Sequence, residues 1–411
     1  MSHRFLTSIA VLWAVAFAFA CVPEPDGDDG GSLADSGTTE QPSDAGGSEE
    51  DAGPVVLSDA GRDAGSVVAP PIDSGTEPAE PDAGPPPDRG VRVEGNRILK
   101  DGVPIQIRGV NRSGTEFACV QRGEIFDGPA DDASLAAIVA WGANAVRIPL
   151  NETCWLGING VAPAASGAAY RDAILAYVDR VKAHGMIPIL DLHWAAPGDR
   201  QATEQLPMPN RDHTPELWRH VADTVKDDPY VVLELFNEPW PDWNQDTDAA
   251  WRCWRDGGSC GGIDYQAAGM QELVDAVRST GAENVILAGG IRFANTLSQW
   301  LAYRPTDPLG QLAAAWHIYS SGFCADQACY DGSPAAVAAA VPVVATEIGD
   351  EVCGSTFMPA LMDWLDAHDA GYMAWVWNTW TGCMRLIDSY DGTPRGSYGR
   401  MYRDRLQSYA D

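Results

Sequence analysis

The sequence predicts an α/β protein: a (β/α)8 TIM barrel preceded by a signal peptide and a disordered acidic linker. Three observations carry this. Eight apolar runs of strand length recur between Ile105 and Val376. Segments of helical period separate them. The span from Gly90 to Asp411 suits one barrel, for which about 250 residues is usual with insertions beyond. Parallel strands covered on both faces read as continuous apolar runs, and strand–helix alternation lays them side by side. An open doubly wound sheet is the alternative, since periodicity does not count closure. No Gly-rich phosphate loop of the Rossmann or Walker type supports it.

Residues 1–20 read as the signal peptide: Arg4, an apolar stretch from Phe5 to Ala20, and small Ala18 and Ala20 before Cys21. The alternative, a membrane anchor, is disfavoured because the stretch falls short of the ~20 residues that span a bilayer. Cys21 resembles the lipidation site of a bacterial lipoprotein, although Ala18 and Phe19 depart from the usual Leu and small residue. Membrane contact is expected only through lipid on Cys21; without it the chain is simply secreted.

Residues 21–89 form the linker. From Val22 to Asp88 there is no aromatic residue, and seventeen acids face the single base Arg62. Such a stretch buries too little apolar surface to offset its chain entropy, so disorder is expected. Asp-Ala-Gly recurs at 44, 51, 59, 63 and 82, too irregularly for a structural repeat. About half of the formal charge of −31 lies here. The acidity therefore describes a solvated tether and argues against nucleic acid as a partner.

Residues 90–411 are the expected barrel domain. Val91 to Gln106 carries turn signals at Glu94-Gly95-Asn96 and Lys100-Asp101-Gly102 and reads as a β-hairpin. Strands follow at Ile105–Val110, Ala145–Leu150, Ile187–Leu192, Val231–Phe236, Val285–Ala288, Ala313–Ile318, Val341–Ile348 and Tyr372–Val376. Helical period shows in Ile174, Val178 and Val181, in Leu217, Val221 and Val225, and in Leu273, Val274 and Val277.

Polar residues sit where a barrel enzyme places them. Arg147 lies in the second run. His193 ends the third, Asn237 and Glu238 the fourth, Glu347 the seventh and Trp377 the eighth, while His317 and Tyr319 lie in the sixth. All but Arg147 are at or near the C-terminal edge, where barrel active sites form. A lone strand-end His or Glu is more often structural, but so many at one edge are not.

These stretches resemble glycoside hydrolase family 5, the cellulases, mannanases and related retaining β-glycosidases. The likeness rests on Ile107-Arg108-Gly109-Val110-Asn111, Ala145-Val146-Arg147-Ile148-Pro149, Leu190-Asp191-Leu192-His193, Phe236-Asn237-Glu238-Pro239, His317-Ile318-Tyr319 and Thr346-Glu347-Ile348-Gly349. The resemblance implies Glu238 as acid and base, Glu347 as nucleophile and Asn237 as donor to the sugar 2-hydroxyl. It implies Arg147, His193, His317 and Tyr319 as supports and Trp377 as the floor of the sugar site. Trp375 shares a strand face with Trp377 and competes for that last place.

The chemistry stands beside the name. Retention requires two carboxyl groups about 5–5.5 Å apart, one ionised and one protonated. Arg147 and Tyr319 would keep Glu347 ionised, while Glu238 needs a less polar setting. No metal or cofactor is expected: His193, His213, His220 and His317 are too scattered for a metal cluster.

Glu234, on Glu238's strand face, is expected to pair with Arg108. Glu152 reads equally as a substrate contact or a surface charge. Trp240, Trp243, Trp251 and Trp254, with Cys253 and Cys260, form either a sugar platform or a local core. Nine cysteines leave four disulfides once Cys21 is set aside. Proximity favours Cys253–Cys260 and Cys324–Cys329, and neighbouring barrel loops favour Cys119–Cys154 and Cys353–Cys383. The expected protein is an exported monomer, at the cell surface or secreted, that cuts β-linked polysaccharide, β-1,4-glucan first and β-mannan next. A barrel that binds polysaccharide without cutting it is the reading from another class.

Overall fold

The structure, a computed structural model, describes residues 89–352 and 356–409. The signal peptide, Cys21 and almost all of the linker lie outside those residues. Eight strands form a closed barrel: β1 (Arg108–Asn111), β2 (Ala145–Asn151), β3 (Ile187–Trp194), β4 (Val232–Glu234), β5 (Ile286–Gly289), β6 (Leu312–Tyr319), β7 (Val343–Gly349) and β8 (Gly371–Ala374). Each pairs in parallel with the next, and β8 returns to β1. Closure replaces the open-sheet alternative.

The outer ring follows the same order. It comprises α1 (Asp132–Ala140), α2 (Ala168–Ala183), α3 (Thr214–Val225), α4 (Met270–Arg278), α5 (Trp300–Tyr303), α6 (Ser333–Ala340), α7 (Phe357–Ala367) and α8 (Gly396–Gln407). The periodic residues face inward: Ile174, Val178 and Val181 on α2, Leu217, Val221 and Val225 on α3, and Leu273, Val274 and Val277 on α4 are all buried. Helix starts are marked chemically; the Asp131 carboxylate accepts from the Ser134 amide at 2.9 Å ahead of α1.

The N-terminal hairpin is a three-stranded antiparallel sheet, Val91–Glu94, Arg97–Lys100 and Val103–Ile105. Its second turn puts Asp101 and Gly102 at positive φ, 53° and 78°. The sheet closes the base of the barrel: Val91 and Ile98 join Ile107, Ile189, Val232 and Leu287 in one inner cluster. With the base filled by side chains, only the C-terminal mouth is left for a site.

Three expected disulfides are formed, Cys119–Cys154, Cys253–Cys260 and Cys324–Cys329. Cys383 is also disulfide-bonded, and its expected partner, Cys353, lies outside the described residues. No described helix is long and apolar enough to cross a membrane.

Candidate active site

Arg147, third residue of β2 and fully buried, organises the mouth. Its Nε donates to Glu234 at 2.6 Å, one terminal nitrogen to Glu347 at 2.5 Å and to Asn111 at 3.0 Å, and the other to Asn237 at 2.8 Å. That second nitrogen also pairs with Asp191 at 3.0 Å. Register explains the convergence: Asn111 is Arg147's Cα partner on β1, and Asp191 and Glu234 are partners across β3 and β4. A planar five-donor group serves these acceptors from one place. Burial alone would lower the guanidinium's pKa, but Asp191, Glu234 and Glu347 raise it instead.

The two glutamates expected from sequence meet here. One oxygen of Glu238 and one of Glu347 lie within 4.8 Å of each other. Glu347 is held by Arg147 on one oxygen and by the Tyr319 hydroxyl, 2.5 Å away, on the other. Burial pushes its pKa upward, but the charges of His317 and Arg147 prevail and hold it below the ordinary carboxylate value. Glu238 goes the other way. Burial raises it and the Glu347 charge adds to that, against the pull of His317. Two carboxyls side by side are thus biased toward opposite protonation states.

His317 is the wedge between them. Its Nδ1 lies 3.0 Å from Glu238 and 3.7 Å from Glu347, and its Nε2 lies 3.1 Å from the Thr346 hydroxyl. Burial would lower its pKa, yet Glu347, Glu234 and Glu238 raise it to about 10. Both ring nitrogens then donate. Glu238, His317 and Glu347 are close enough to chelate a metal, and in this structure the ring's Nδ1 faces Glu238 and its Nε2 faces Thr346. His193 is tied through Nδ1 to Asp191 at 2.7 Å. Its ring runs parallel to that of Trp375, centroids 5.8 Å apart.

Three expectations are corrected. Trp377 is no floor: it is 0 % exposed and packs edge-on against Trp141 at 4.8 Å. Strand β8 ends at Ala374, so simple alternation no longer governs the residues beyond it, and the part-exposed Trp375 takes the place beside His193. Glu234 does not pair with Arg108. Arg108 opens β1 at the barrel base and pairs with Asp366 at 3.1 Å, whereas Glu234 takes Arg147 and accepts from the Thr346 hydroxyl at 2.7 Å. Glu152 is neither substrate contact nor surface charge. It is fully buried and accepts from the Ala196 amide, the Asn210 amide and the Thr214 hydroxyl.

The tryptophan-rich loop divides between its two readings. Trp251 and Trp254 are 0 % exposed and form a core beside the Cys253–Cys260 bridge, while Trp243 is 70 % exposed. The roles of Asp191, Asn111 and Thr346 escaped sequence reasoning. Asp191 carried a signal, standing two residues before His193 on the same strand face.

A family model described as "Cellulase (glycosyl hydrolase family 5)" matches residues 99–380. Endoglucanase C of Evansella cellulosilytica is 29 % identical over 238 residues, covering 53 % of this chain and 25 % of that longer protein. Among solved structures, the β-glucanase SdGluc5_26A of Saccharophagus degradans superposes with a TM-score of 0.58 at 20 % identity, covering 78 % of this chain and 94 % of the other. The catalytic domain of a mannanase from Streptomyces sp. SirexAA-E gives 0.57 at 20 % identity, covering 80 % and 94 %. At that identity the structural likenesses speak to the fold alone.

Proposed function

The chain belongs to the cellulase family, glycosyl hydrolase family 5, and from that membership we propose that it hydrolyses internal β-1,4 bonds of a glucan with retention of configuration. The observation that carries this reading is the pair Glu238 and Glu347, with one oxygen of each within 4.8 Å of the other and the two biased to opposite protonation states. Inverting enzymes hold their carboxyls about 6.5–9.5 Å apart to admit a water; retaining ones hold them at about 5–5.5 Å.

In the first step a Glu347 oxygen attacks the anomeric carbon, the glycosidic C–O bond breaks, and the Glu238 proton passes to the departing oxygen. In the second, the Glu238 carboxylate takes a proton from water, the water oxygen attacks the same carbon, and Glu347 leaves as carboxylate. Arg147 and Tyr319 keep Glu347 ionised and aimed. Asn237 offers an amide hydrogen to the sugar 2-hydroxyl, a bond that tightens as charge develops at the anomeric carbon. Trp375 and His193, parallel to each other, flank the sugar. The endoglucanase relative favours glucan, while mannan and other β-linked polysaccharides would use the same acid pair. The disulfides support export to an oxidising compartment.

The test separates the two acids by stereochemistry. Glu347→Ala supplied with azide and a glycoside bearing a good leaving group should yield the α-glycosyl azide. Glu238→Ala should still form the covalent intermediate and yield the β-azide, with substrates of poor leaving group losing roughly 10²- to 10⁴-fold. The opposite configurations would reverse the roles. Soluble glucan, mannan and xylan assayed side by side identify the sugar, and cleavage of none of them would overturn the glucanase reading in favour of another β-linked polysaccharide or of a barrel that binds without cutting.

A further inference from the structure

We propose that Gln205, on the loop between β3 and α3, is a positioning residue that fixes the side-chain amide of Asn237 and the backbone of Glu238 in their working orientation. The inference rests on the retaining reading above and goes beyond the residues it uses.

The geometry accounts for every polar atom of the side chain. The Gln205 carbonyl oxygen accepts from the Asn237 amide nitrogen at 2.8 Å. Its own amide nitrogen donates to the Glu238 carbonyl at 3.0 Å and to the Leu206 carbonyl at 2.8 Å. Turning the amide over would set donor against donor at Asn237 and oxygen against oxygen at the other two contacts, so three partners fix one orientation. Asn237 is constrained in the same way from its other end. Its oxygen faces the donor-only guanidinium of Arg147 at 2.8 Å, which leaves its nitrogen pointing at Gln205. One amide hydrogen is spent on Gln205, and the second is the one available to a sugar hydroxyl. With both hydrogens and its oxygen committed inside the protein, Gln205 acts through Asn237 and Glu238 rather than on substrate.

The loop that carries Gln205 is held on both sides of it. Upstream, the Ala202 amide donates to the Thr153 hydroxyl at 2.8 Å and the Ala202 carbonyl accepts from Asn151 at 2.8 Å. Downstream, the Pro207 carbonyl accepts from the Trp240 amide at 2.8 Å. A side chain delivered from a loop pinned this closely is preorganised, which is what a support for a developing hydrogen bond needs.

The experiment compares Gln205→Leu, Asn237→Ala and the double variant, in the full chain, on an aryl β-cellobioside and on its analogue lacking the 2-hydroxyl of the cleaved sugar. Gln205→Leu is expected to lower kcat about tenfold or more with KM within about twofold, the pattern of an interaction made in the transition state. It should also shrink the preference for the 2-hydroxyl substrate and add little in the Asn237→Ala background. Gln205→Glu keeps the acceptor toward Asn237 but sets an oxygen against the Glu238 and Leu206 carbonyls, so it should retain more of that preference than Gln205→Leu while still losing kcat. An intact 2-hydroxyl preference in Gln205→Leu, full additivity with Asn237→Ala, or a Gln205→Glu variant with wild-type kcat would overturn the assignment. A wild-type chain that cleaves neither substrate nor any β-glucan would overturn the retaining reading first, before any variant is compared.

Discussion

Tyr319 shows how one hydroxyl can set a pH limb. Burial pushes Glu347 upward, and four influences oppose it: the charges of His317, Arg147 and His193 and the hydrogen bond from Tyr319. Tyr319→Phe deletes only the last, so the Glu347 pKa rises and the proposed nucleophile is protonated at a higher pH. The acid limb of the kcat/KM profile should move upward. At the optimum the loss should be roughly 10- to 100-fold, the worth of about 1.5–3 kcal/mol for a hydrogen bond to a charged group. An unmoved acid limb in the measured profile would remove Tyr319 from the control of Glu347. Much of this residue-level machinery was legible before the fold was known, because strand ends announce themselves as apolar runs that stop at polar side chains. What sequence did not show was direction. Trp375 and Trp377 look equivalent as a period-two pair, yet one stands at the site and the other is sealed in the core. Glu234 carried an acid on the correct face, but choosing between Arg108 and Arg147 required knowing that they lie at opposite ends of the barrel.

At the scale of elements, the eight strands were readable because burial on both faces leaves each a continuous apolar run, and the helices because burial on one face leaves a stripe. The exceptions are physical. After β5 the ring helix is the single turn Trp300–Tyr303, anchored by Trp300 donating to the Ala288 carbonyl at 3.0 Å and by Tyr303 stacking on Trp251, too short a stripe to register as a period. The long β3–α3 loop has no period at all, and its order comes from scattered polar anchors, the richest of them Glu152. That carboxyl gathers donors from Ala196, Asn210 and Thr214, and so ties the β2 end to a loop that reaches the active site at Gln205. Glu152→Ala strands three buried donors at about 1–3 kcal/mol each before relaxation. Unfolding in urea should show a loss of roughly 3 kcal/mol or more, with kcat falling alongside. Glu152→Gln, which keeps an acceptor for Thr214 or Asn210, should lose less. Equal stability of Glu152→Ala and wild type would mean that the loop is ordered by its other contacts.

For the whole domain, the same buried charges that bias the glutamates also set a pH window for stability. Glu234 is desolvated, but Arg147 and His317 hold its pKa at about 2. A depressed folded-state pKa contributes stability that is present above the ordinary value near 4.5 and is lost as pH falls toward the folded one. His317 works in the opposite sense. Its pKa is raised from 6.5 to about 10, so its contribution is complete below 6.5 and drains away as pH climbs through that interval. Glu116, Glu152 and Asp191, each raised by burial, bind protons more readily folded than unfolded and also favour the acidic side. The barrel should therefore have its highest Tm in mildly acidic solution, with a decline above pH 6.5 shared between His193, which burial would lower but Asp191 raises, and the titration of His317. His317→Gln removes that titration. It should lower Tm at pH 6, where Glu234 and Glu347 lose their neighbour's charge, and lower it less at pH 9, so that the decline across the interval shrinks. Melting curves of both proteins at the two pH values decide the matter: an equal decline in wild type and variant would mean that His317 carries no excess proton in the folded state. Arg147 and Tyr319 would then be left to hold Glu347 down, while burial and the Glu347 charge, no longer opposed by an imidazolium, keep Glu238 raised.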